Sequence, residues 1–207
     1  MHDLELHVDR QYTSPFALSA FVALRVKQLP FELHALDLDA GQQHEPAFRD
    51  TALTARVPML THGSFTLTES SAIAEYLEQW RPQPPLYPAD LQQRARARQV
   101  QAWLRSDLMD LRRERTTDVI FIQPVTAPLS PQARRATDKL VRIGLQLLGD
   151  GRPYLFGAWS IADIDLACML QRLVSNGDET PAVLKDYTLG VWVHPAVQEW
   201  MAFDRTL

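Results

Sequence analysis

The sequence predicts two domains, an α/β domain followed by an all-helical domain. Over about the first eighty residues, strand-like and helix-like periodicities alternate, which is typical of a small sheet covered by helices. The segment 81–88 then contains four prolines, too many for a helix or a central strand. Beyond it only helical spacing recurs. We therefore expect domains at residues 1–81 and 89–207, joined by a stiff linker.

Each element of the first domain has its own local signal. Leu4 to Val8 alternates apolar and polar residues, as does part of Phe31 to Leu38, so both are predicted strands. Pro15 suits the first position of a helix, because its missing N–H needs no partner there. Strand-type triplets flank His62 to Ser64 and predict a hairpin. The expected elements, in order, are strand 4–8, a helix from Pro15, strand 31–38, a loop or irregular helix at 41–49, hairpin strands 59–61 and 65–67, and a helix through 73–80.

The second domain shows only the apolar spacing of amphipathic helices. Ser160 and Asp163 form an S-x-x-D capping box, which marks the start of one of them. We expect helices over 90–115, through 136–147 and through 161–174, a loop at 126–131, and shorter pieces at 181–187 and 195–203.

Composition and charge narrow the functional classes. The chain is 46% hydrophobic and 22% charged, and its net charge of −4 does not favour nucleic acid or an acidic membrane as the main partner. Met1 to Glu5 is charged, and no apolar run reaches the ~18 residues of a membrane span. The lone cysteine, Cys168, cannot form an internal disulfide and fits a reducing compartment. We expect a cytoplasmic protein that binds neither nucleic acid nor membranes.

Two other groups of residues indicate no further site. Arg94 to Arg115 is rich in arginine, but the acids within it favour a solvated or subunit-facing helix surface over a phosphate-binding stripe. The six histidines show no ligand spacing, so we expect no metal site.

Three short segments offer polar atoms to a small anionic peptide, and the first is Val57–Pro58. A cis bond here would turn the chain before the third strand. It would also expose the Val57 backbone for pairing with an extended peptide. The alternative is a trans proline, which the base rate favours, because only about 5% of such bonds are cis.

The second segment is Glu69–Ser70, at the expected start of a helix. Unpaired helix N–H groups and the Ser70 hydroxyl suit a carboxylate, while Glu69 suits the ammonium group beside it in a free amino-acid end. The alternative is ordinary helix capping by Thr68 or Ser70.

The third segment is Ser14, between the first strand and the first helix. Its hydroxyl can donate to a thiolate at the helix end. Lowering a thiol pKa by two from about 8.5 requires about 2.7 kcal/mol. A helix end supplies about 0.3–2 kcal/mol and a hydrogen bond to a charged acceptor about 1.5–3 kcal/mol, so no base is required. The alternative is a capping serine without chemistry; Thr13 and Tyr12 are the neighbouring hydroxyls.

In this order and spacing, the three segments resemble those of the cytosolic glutathione transferases, and the resemblance covers essentially the whole chain. It implies a thioredoxin-like N-terminal domain that binds glutathione, an all-helical C-terminal domain that forms most of the second-substrate pocket, and a homodimer. In that family the capping box within Gly157 to Asp165 is a folding element. The segments Arg94 to Trp103 and Glu69 to Leu77 are similar to those of the bacterial YfcF-type glutathione transferases.

The resemblance also implies roles for individual residues. Ser14 matches the serine that activates the glutathione sulfur, and Val57 matches the residue whose backbone pairs with the cysteinyl unit. Glu69 and Ser70 match the pair that holds the γ-glutamyl end. The candidates for the glycyl carboxylate are Gln43, His44 and Arg56.

We therefore expect an enzyme with glutathione as co-substrate. Its thiolate would attack a small electrophile or reduce a hydroperoxide, with catalysis resting on thiolate stabilisation and positioning. No cysteine is near Ser14, so members that use a catalytic cysteine are a poor guide. The alternative is a non-catalytic glutathione-binding or regulatory protein of the same fold.

Overall fold

The computed structural model describes residues 3–205, and by contacts the chain falls into two units. One comprises the chain up to Leu86 together with the segment from Pro195 onward, and the other runs from Tyr87 to His194. The border at Leu86 lies inside the proline-rich segment. The segment from Pro195, which the sequence analysis assigned to the helical domain, instead groups with the first unit, because its helix packs on the first helix of the chain.

The first unit is built on a four-stranded sheet. Its strands are β1 (Leu4–Asp9), β2 (Glu32–Leu36), β3 (Met59–His62) and β4 (Phe65–Thr68), and its helices are α1 (Pro15–Val26), α2 (Pro46–Arg49) after a 3₁₀ turn at Gln42–His44, α3 (Ser70–Trp80) and the C-terminal α10 (Pro195–Met201). The strand order is β2-β1-β3-β4; β1 and β2 are parallel, and β3 is antiparallel to both of its neighbours. This is the thioredoxin-like arrangement that the resemblance implies.

An apolar core lies between the sheet and its helices. Leu6 and Val8 of β1 are fully buried, as are Leu18 and Phe21 of α1 and Leu77 of α3. Burying a side chain of this size contributes about 1.5–3 kcal/mol. Since α1 contacts both β1 and α3, the start of α1 is held at a constant position relative to the end of β1.

A buried ion pair attaches the linker to the first unit. The Lys27 ammonium donates to the Glu78 carboxylate at 2.5 Å and to the Pro84 carbonyl at 2.7 Å. The same carboxylate accepts from the Leu86 N–H at 2.9 Å. Both side chains are at most 7% exposed. The linker is thereby fixed to α1 and α3 up to Leu86.

The second unit is built from helices, namely α4 (Leu91–Ser106), α5 (Met109–Glu114), α6 (Asp118–Phe121), α7 (Pro131–Leu148), α8 (Ile161–Asn176) and α9 (Ala182–Trp192). The single helix expected over 90–115 is wrong, because the chain breaks at Leu108, whose φ is +62°. The Asp107 carboxylate accepts from the Leu108 N–H at 2.7 Å and from Trp103 Nε1 at 2.9 Å. A short acidic side chain that bonds nearby N–H groups competes with the helical ladder, which apolar spacing does not reveal. The short α6 is absent from the sequence prediction.

The capping box at the start of α8 is confirmed as a structural element. The Asp163 carboxylate is fully buried and accepts from the Ser160 N–H and hydroxyl and from the Leu155 N–H, all at 2.8 Å. The Tyr187 hydroxyl also donates to it at 2.9 Å. Burial raises the pKa of Asp163, while these hydrogen bonds lower it. The carboxylate joins three parts of the second unit and faces no open site.

The single cysteine of the sequence lies in the second unit. Cys168 is enclosed, and burial raises the pKa of its thiol to about 12, so the thiol stays protonated at neutral pH. Residues 3–205 contain no helix long and apolar enough to cross a bilayer, and no group of three or more His, Cys, Asp or Glu side chains that could hold a metal ion.

Candidate functional site

A cleft of about 590 Å³ opens in the first unit, a volume within the ~300–1,000 Å³ usual for ligand sites. Its walls come from the end of β1, the start of α1, the 3₁₀ turn and the chain leading into β3. The lining residues are Asp9, Thr13, Ser14, Leu38, Gln43, His44, Thr54, Ala55, Arg56 and Val57. The cleft thus brings together five of the seven residues singled out by sequence, and Glu69 and Ser70 are not on its lining.

Ser14 is the N-cap of α1. Its hydroxyl oxygen accepts from the Ala17 N–H at 3.2 Å, and Pro15 occupies the first helical position, as expected. A hydroxyl that accepts through one lone pair still carries a proton that it can donate. Capping and donation to a ligand are therefore compatible at Ser14, and the cap fixes the oxygen from which the proton would be donated.

Asp9 holds the turn that carries Ser14, and sequence reasoning missed it. The carboxylate is 5% exposed and accepts from the Thr13 N–H at 2.6 Å, the Thr13 hydroxyl at 3.2 Å and the Ser14 N–H at 3.1 Å. Burial raises the pKa of Asp9, and these hydrogen bonds partly oppose the rise. The sequence signal that could have identified Asp9 is an aspartate at the end of a predicted strand, five residues before the Ser-Pro pair that starts a helix.

The Val57–Pro58 peptide bond is cis, and β3 begins directly after it at Met59. Among the described residues, the N–H and C=O of Val57 make no hydrogen bond. An extended peptide in the cleft can therefore pair with both groups, as an added strand pairs with a sheet edge.

Glu69 and Ser70 lie at the start of α3. Glu69 occupies the N-cap position with φ +71°, is exposed, and makes no capping hydrogen bond through its side chain. Ser70 is the first helical residue and is 3% exposed. Thr68 pairs with Met59, so Glu69 and Ser70 follow directly beside the chain that leads into β3. A positive φ at a glutamate is uncommon, and such strain is concentrated at functional sites.

The cleft contains one guanidinium group, that of Arg56, that forms no ion pair among the described residues. Arg56 is exposed and forms no ion pair or hydrogen bond within residues 3–205, and His44 is exposed in the 3₁₀ turn. The Gln43 side-chain nitrogen donates to the Leu38 carbonyl at 3.3 Å. The Gln43 side-chain oxygen is buried and has no hydrogen-bond partner among the described residues. Arg56 and His44 are therefore the better donors to an anionic group, and Gln43 braces the turn.

Comparisons with known proteins identify the family of the chain. Residues 13–80 match the glutathione S-transferase N-terminal domain, and residues 90–205 match the glutathione S-transferase C-terminal domain. The chain is 35% identical to human glutathione S-transferase theta-1 over 181 residues, which cover 84% of this chain and 75% of the human protein.

Solved structures of similar proteins share the fold. A glutathione transferase homologue from Burkholderia strain BGR1, solved with bound glutathione, is 44% identical, with a TM-score of 0.79 over 95% of each chain. A theta-class glutathione S-transferase from Xanthomonas axonopodis pv. citri, also solved with glutathione, has a TM-score of 0.80 over 100% of each chain. At 22% identity the latter supports the fold alone.

We predict that Asp9→Asn lowers the free energy of unfolding by about 1–3 kcal/mol, because the amide nitrogen cannot accept from Thr13 or Ser14 and leaves a donor unpaired. Urea unfolding measures this loss. Burial raises the pKa of Asp9 in the folded protein above its value of about 4 in the unfolded chain. The contribution of Asp9 to the wild-type free energy of unfolding therefore falls as the pH rises through this range. The difference in the free energy of unfolding between wild type and Asp9→Asn should therefore become smaller as the pH rises. A difference that grows with pH would contradict the role of Asp9 in holding the turn.

Proposed function

The chain belongs to the cytosolic glutathione transferase family, and we propose that it binds glutathione in the cleft of its first unit and holds the sulfur as a thiolate with the Ser14 hydroxyl. It is a glutathione transferase with glutathione as co-substrate. The observation that carries the proposal is a capped serine hydroxyl that faces a cleft in which the unpaired Arg56 guanidinium and the free Val57 peptide groups suit a small anionic peptide.

Thiolate stabilisation follows from two terms that act at the same place. The start of α1 contributes about 0.3–2 kcal/mol to a neighbouring anion. The Ser14 hydroxyl contributes a hydrogen bond to a charged acceptor, about 1.5–3 kcal/mol. Together they match the roughly 2.7 kcal/mol that lowers a thiol pKa by two. No general base is needed, and among the lining residues Asp9 is already engaged by the backbone of Thr13 and Ser14.

The same cleft orients the rest of glutathione. The Val57 N–H and C=O pair with the cysteinyl unit, and the glycyl carboxylate lies against Arg56 and His44, with Gln43 supporting the turn. The γ-glutamyl end reaches the start of α3, where Ser70 and the helix N–H groups bind its carboxylate and Glu69 binds its ammonium group.

The second substrate that we propose is a small electrophile or a hydroperoxide, and most of its pocket is assigned to helices of the second unit, which runs from Tyr87 to His194. Chemistry then rests on holding the thiolate and this substrate together. We further propose the narrower YfcF-type assignment, from the segments Arg94 to Trp103 and Glu69 to Leu77, and a cytoplasmic location, from the lone Cys168.

We also propose a homodimer. An aromatic cluster of His62, Phe65, Tyr76 and Trp80 lies on the edge strand β4, the end of β3 and the outer face of α3. Phe65 is 46% exposed although its ring lies 5.4 Å from that of Tyr76. One exposed and three half-buried aromatic rings beside a sheet edge are a typical composition for an interface core.

Ser14→Ala should lower kcat/KM for a glutathione-dependent conjugation at least about tenfold while glutathione still binds, because only the charged sulfur loses a donor. Steady-state kinetics and calorimetry measure the two effects. Ser130→Ala is the matched control. Like Ser14, Ser130 is an N-cap followed by a proline, and its hydroxyl oxygen accepts from a helix N–H, that of Ala133, at 3.2 Å.

Turnover by Ser14→Ala equal to that of Ser130→Ala would remove Ser14 from the mechanism. Wild-type protein that binds glutathione but turns over no electrophile or peroxide in a panel would instead support the non-catalytic alternative.

Glu69→Gln and Arg56→Gln should each weaken glutathione binding by about 1–3 kcal/mol, because each removes a charged partner of opposite sign. Isothermal titration calorimetry at low and high salt measures the loss, which should shrink with salt for the exposed Arg56. Arg49→Gln, on an exposed arginine already paired with Asp50, is the control. Equal affinity for glutathione in Glu69→Gln, Arg56→Gln and Arg49→Gln would contradict the proposed roles of Glu69 and Arg56.

Sedimentation should show a species of twice the chain mass, and Phe65→Glu should shift it toward monomer, because a charge would be buried at the aromatic cluster. Leu53→Glu is the control, since Leu53 is 94% exposed and lies outside the cluster. A wild-type monomer at micromolar concentration, or a dimer that persists in Phe65→Glu, contradicts this surface.

A further inference from the structure

The C-terminal segment 200–205 makes contacts that the proposed function does not use. It lies in the first unit and closes on Tyr12, two residues before Ser14. Trp200 Nε1 donates to the Tyr12 carbonyl at 3.0 Å, and an Arg205 guanidinium nitrogen approaches the same oxygen at 3.4 Å. Trp200 is fully buried, so its hydrogen bond is shielded from water.

The Tyr12 ring is enclosed by the same segment. It stacks on Phe203 with ring centroids 4.5 Å apart and meets the edge of Trp200 at 5.5 Å. Arg205 in turn donates to the carbonyls of Trp200, Met201 and Phe203 at 2.8–2.9 Å, which holds the segment after α10 in a fixed shape.

Tyr12 has a backbone conformation that requires such support. Its φ is +51°, in the left-handed region, where a non-glycine residue is strained and persists only if surrounding contacts hold it there. The Tyr12 N–H donates to the Asp9 carbonyl at 3.0 Å, so the residue is held on the strand side by β1 and on the other side by the C-terminal segment. The direction in which the chain leaves Tyr12 decides where the Ser14 oxygen lies.

We infer that Trp200 and Arg205 are positioning residues for the reaction, which act on Ser14 by fixing the Tyr12 carbonyl. This inference rests on the proposed role of Ser14. The Asp9 carboxylate sets the N–H side of the turn, and the C-terminal segment sets its carbonyl side. Neither Trp200 nor Arg205 needs to touch glutathione to control the strength of the bond between the Ser14 hydroxyl and the sulfur.

The test measures the apparent pKa of the thiol of bound glutathione, from the ultraviolet absorbance of the thiolate against pH, in the full-length enzyme. Trp200→Phe keeps a ring but removes the N–H donor, and Arg205→Gln removes the guanidinium. We expect each to raise the thiol pKa by about one and to lower kcat/KM about tenfold below that pKa. At a pH below the thiol pKa of every variant, where bound glutathione keeps its proton, the Kd for glutathione should change less than about twofold, because groups distant from Ser14 hold most of the peptide.

Glu199→Gln is the matched control. Glu199 forms an ion pair between α10 and Arg25 of α1 at 2.5 Å, so this variant weakens the docking of α10 without touching Tyr12. Thermal unfolding checks that every variant is folded at the assay temperature. Arg205 is only partly buried, so Arg205→Gln tests the inference even where Trp200→Phe fails to fold.

The outcomes separate the two levels of the hypothesis. A raised thiol pKa in the Trp200, Arg205 and Ser14→Ala variants, with Glu199→Gln at the wild-type value, supports the inference. A raised pKa in Ser14→Ala alone overturns it and leaves the proposed function standing. An equal rise in Glu199→Gln also overturns it, because the effect then reports general docking of α10. An unchanged pKa in Ser14→Ala overturns both.

Discussion

The site depends on one buried carboxylate, that of Asp9. Removing an ionised group from water costs several kcal/mol unless donors surround it. Here the donors are the N–H groups of Thr13 and Ser14 and the Thr13 hydroxyl, so the carboxylate organises the backbone that compensates its own burial. The end of β1 and the start of α1 are therefore coupled. The position of the Ser14 hydroxyl is therefore fixed by the sheet, through Asp9 at the end of β1.

Short sequence patterns predict a large part of the fold and of the site. A serine followed by proline specifies a helix start, and the structure places Ser14 as the cap of α1. The S-x-x-D pattern at Ser160 and Asp163 likewise forms the expected box, and the strand-type triplets that flank His62 to Ser64 form the expected hairpin. In each case the residues that determine the geometry lie within four positions of one another, so the sequence contains the whole interaction.

Other features depend on contacts that are distant in sequence. Asp9 carries no pattern of its own, and its importance appears only when β1 and α1 are placed together. The segment from Pro195 has ordinary helical spacing, which does not tell which unit it packs on. The break at Leu108 arises from a side chain that bonds nearby N–H groups, and spacing of apolar residues is insensitive to it. The cis bond before Pro58 opposes the base rate for such bonds and becomes evident only in three dimensions.

The burial of Lys27 has a practical consequence for work with this protein. The sequence contains three lysines, and the ammonium group of Lys27 is enclosed and shared between Glu78 and Pro84. Lys139 is partly engaged by Asp107, whereas Lys185 lies exposed on α9. Among the three lysines, amine-reactive dyes or resins applied under gentle conditions would thus modify only the two of the helical unit. Fluorescent labelling or covalent immobilisation through those side chains leaves the lysine of the sheet-containing unit untouched.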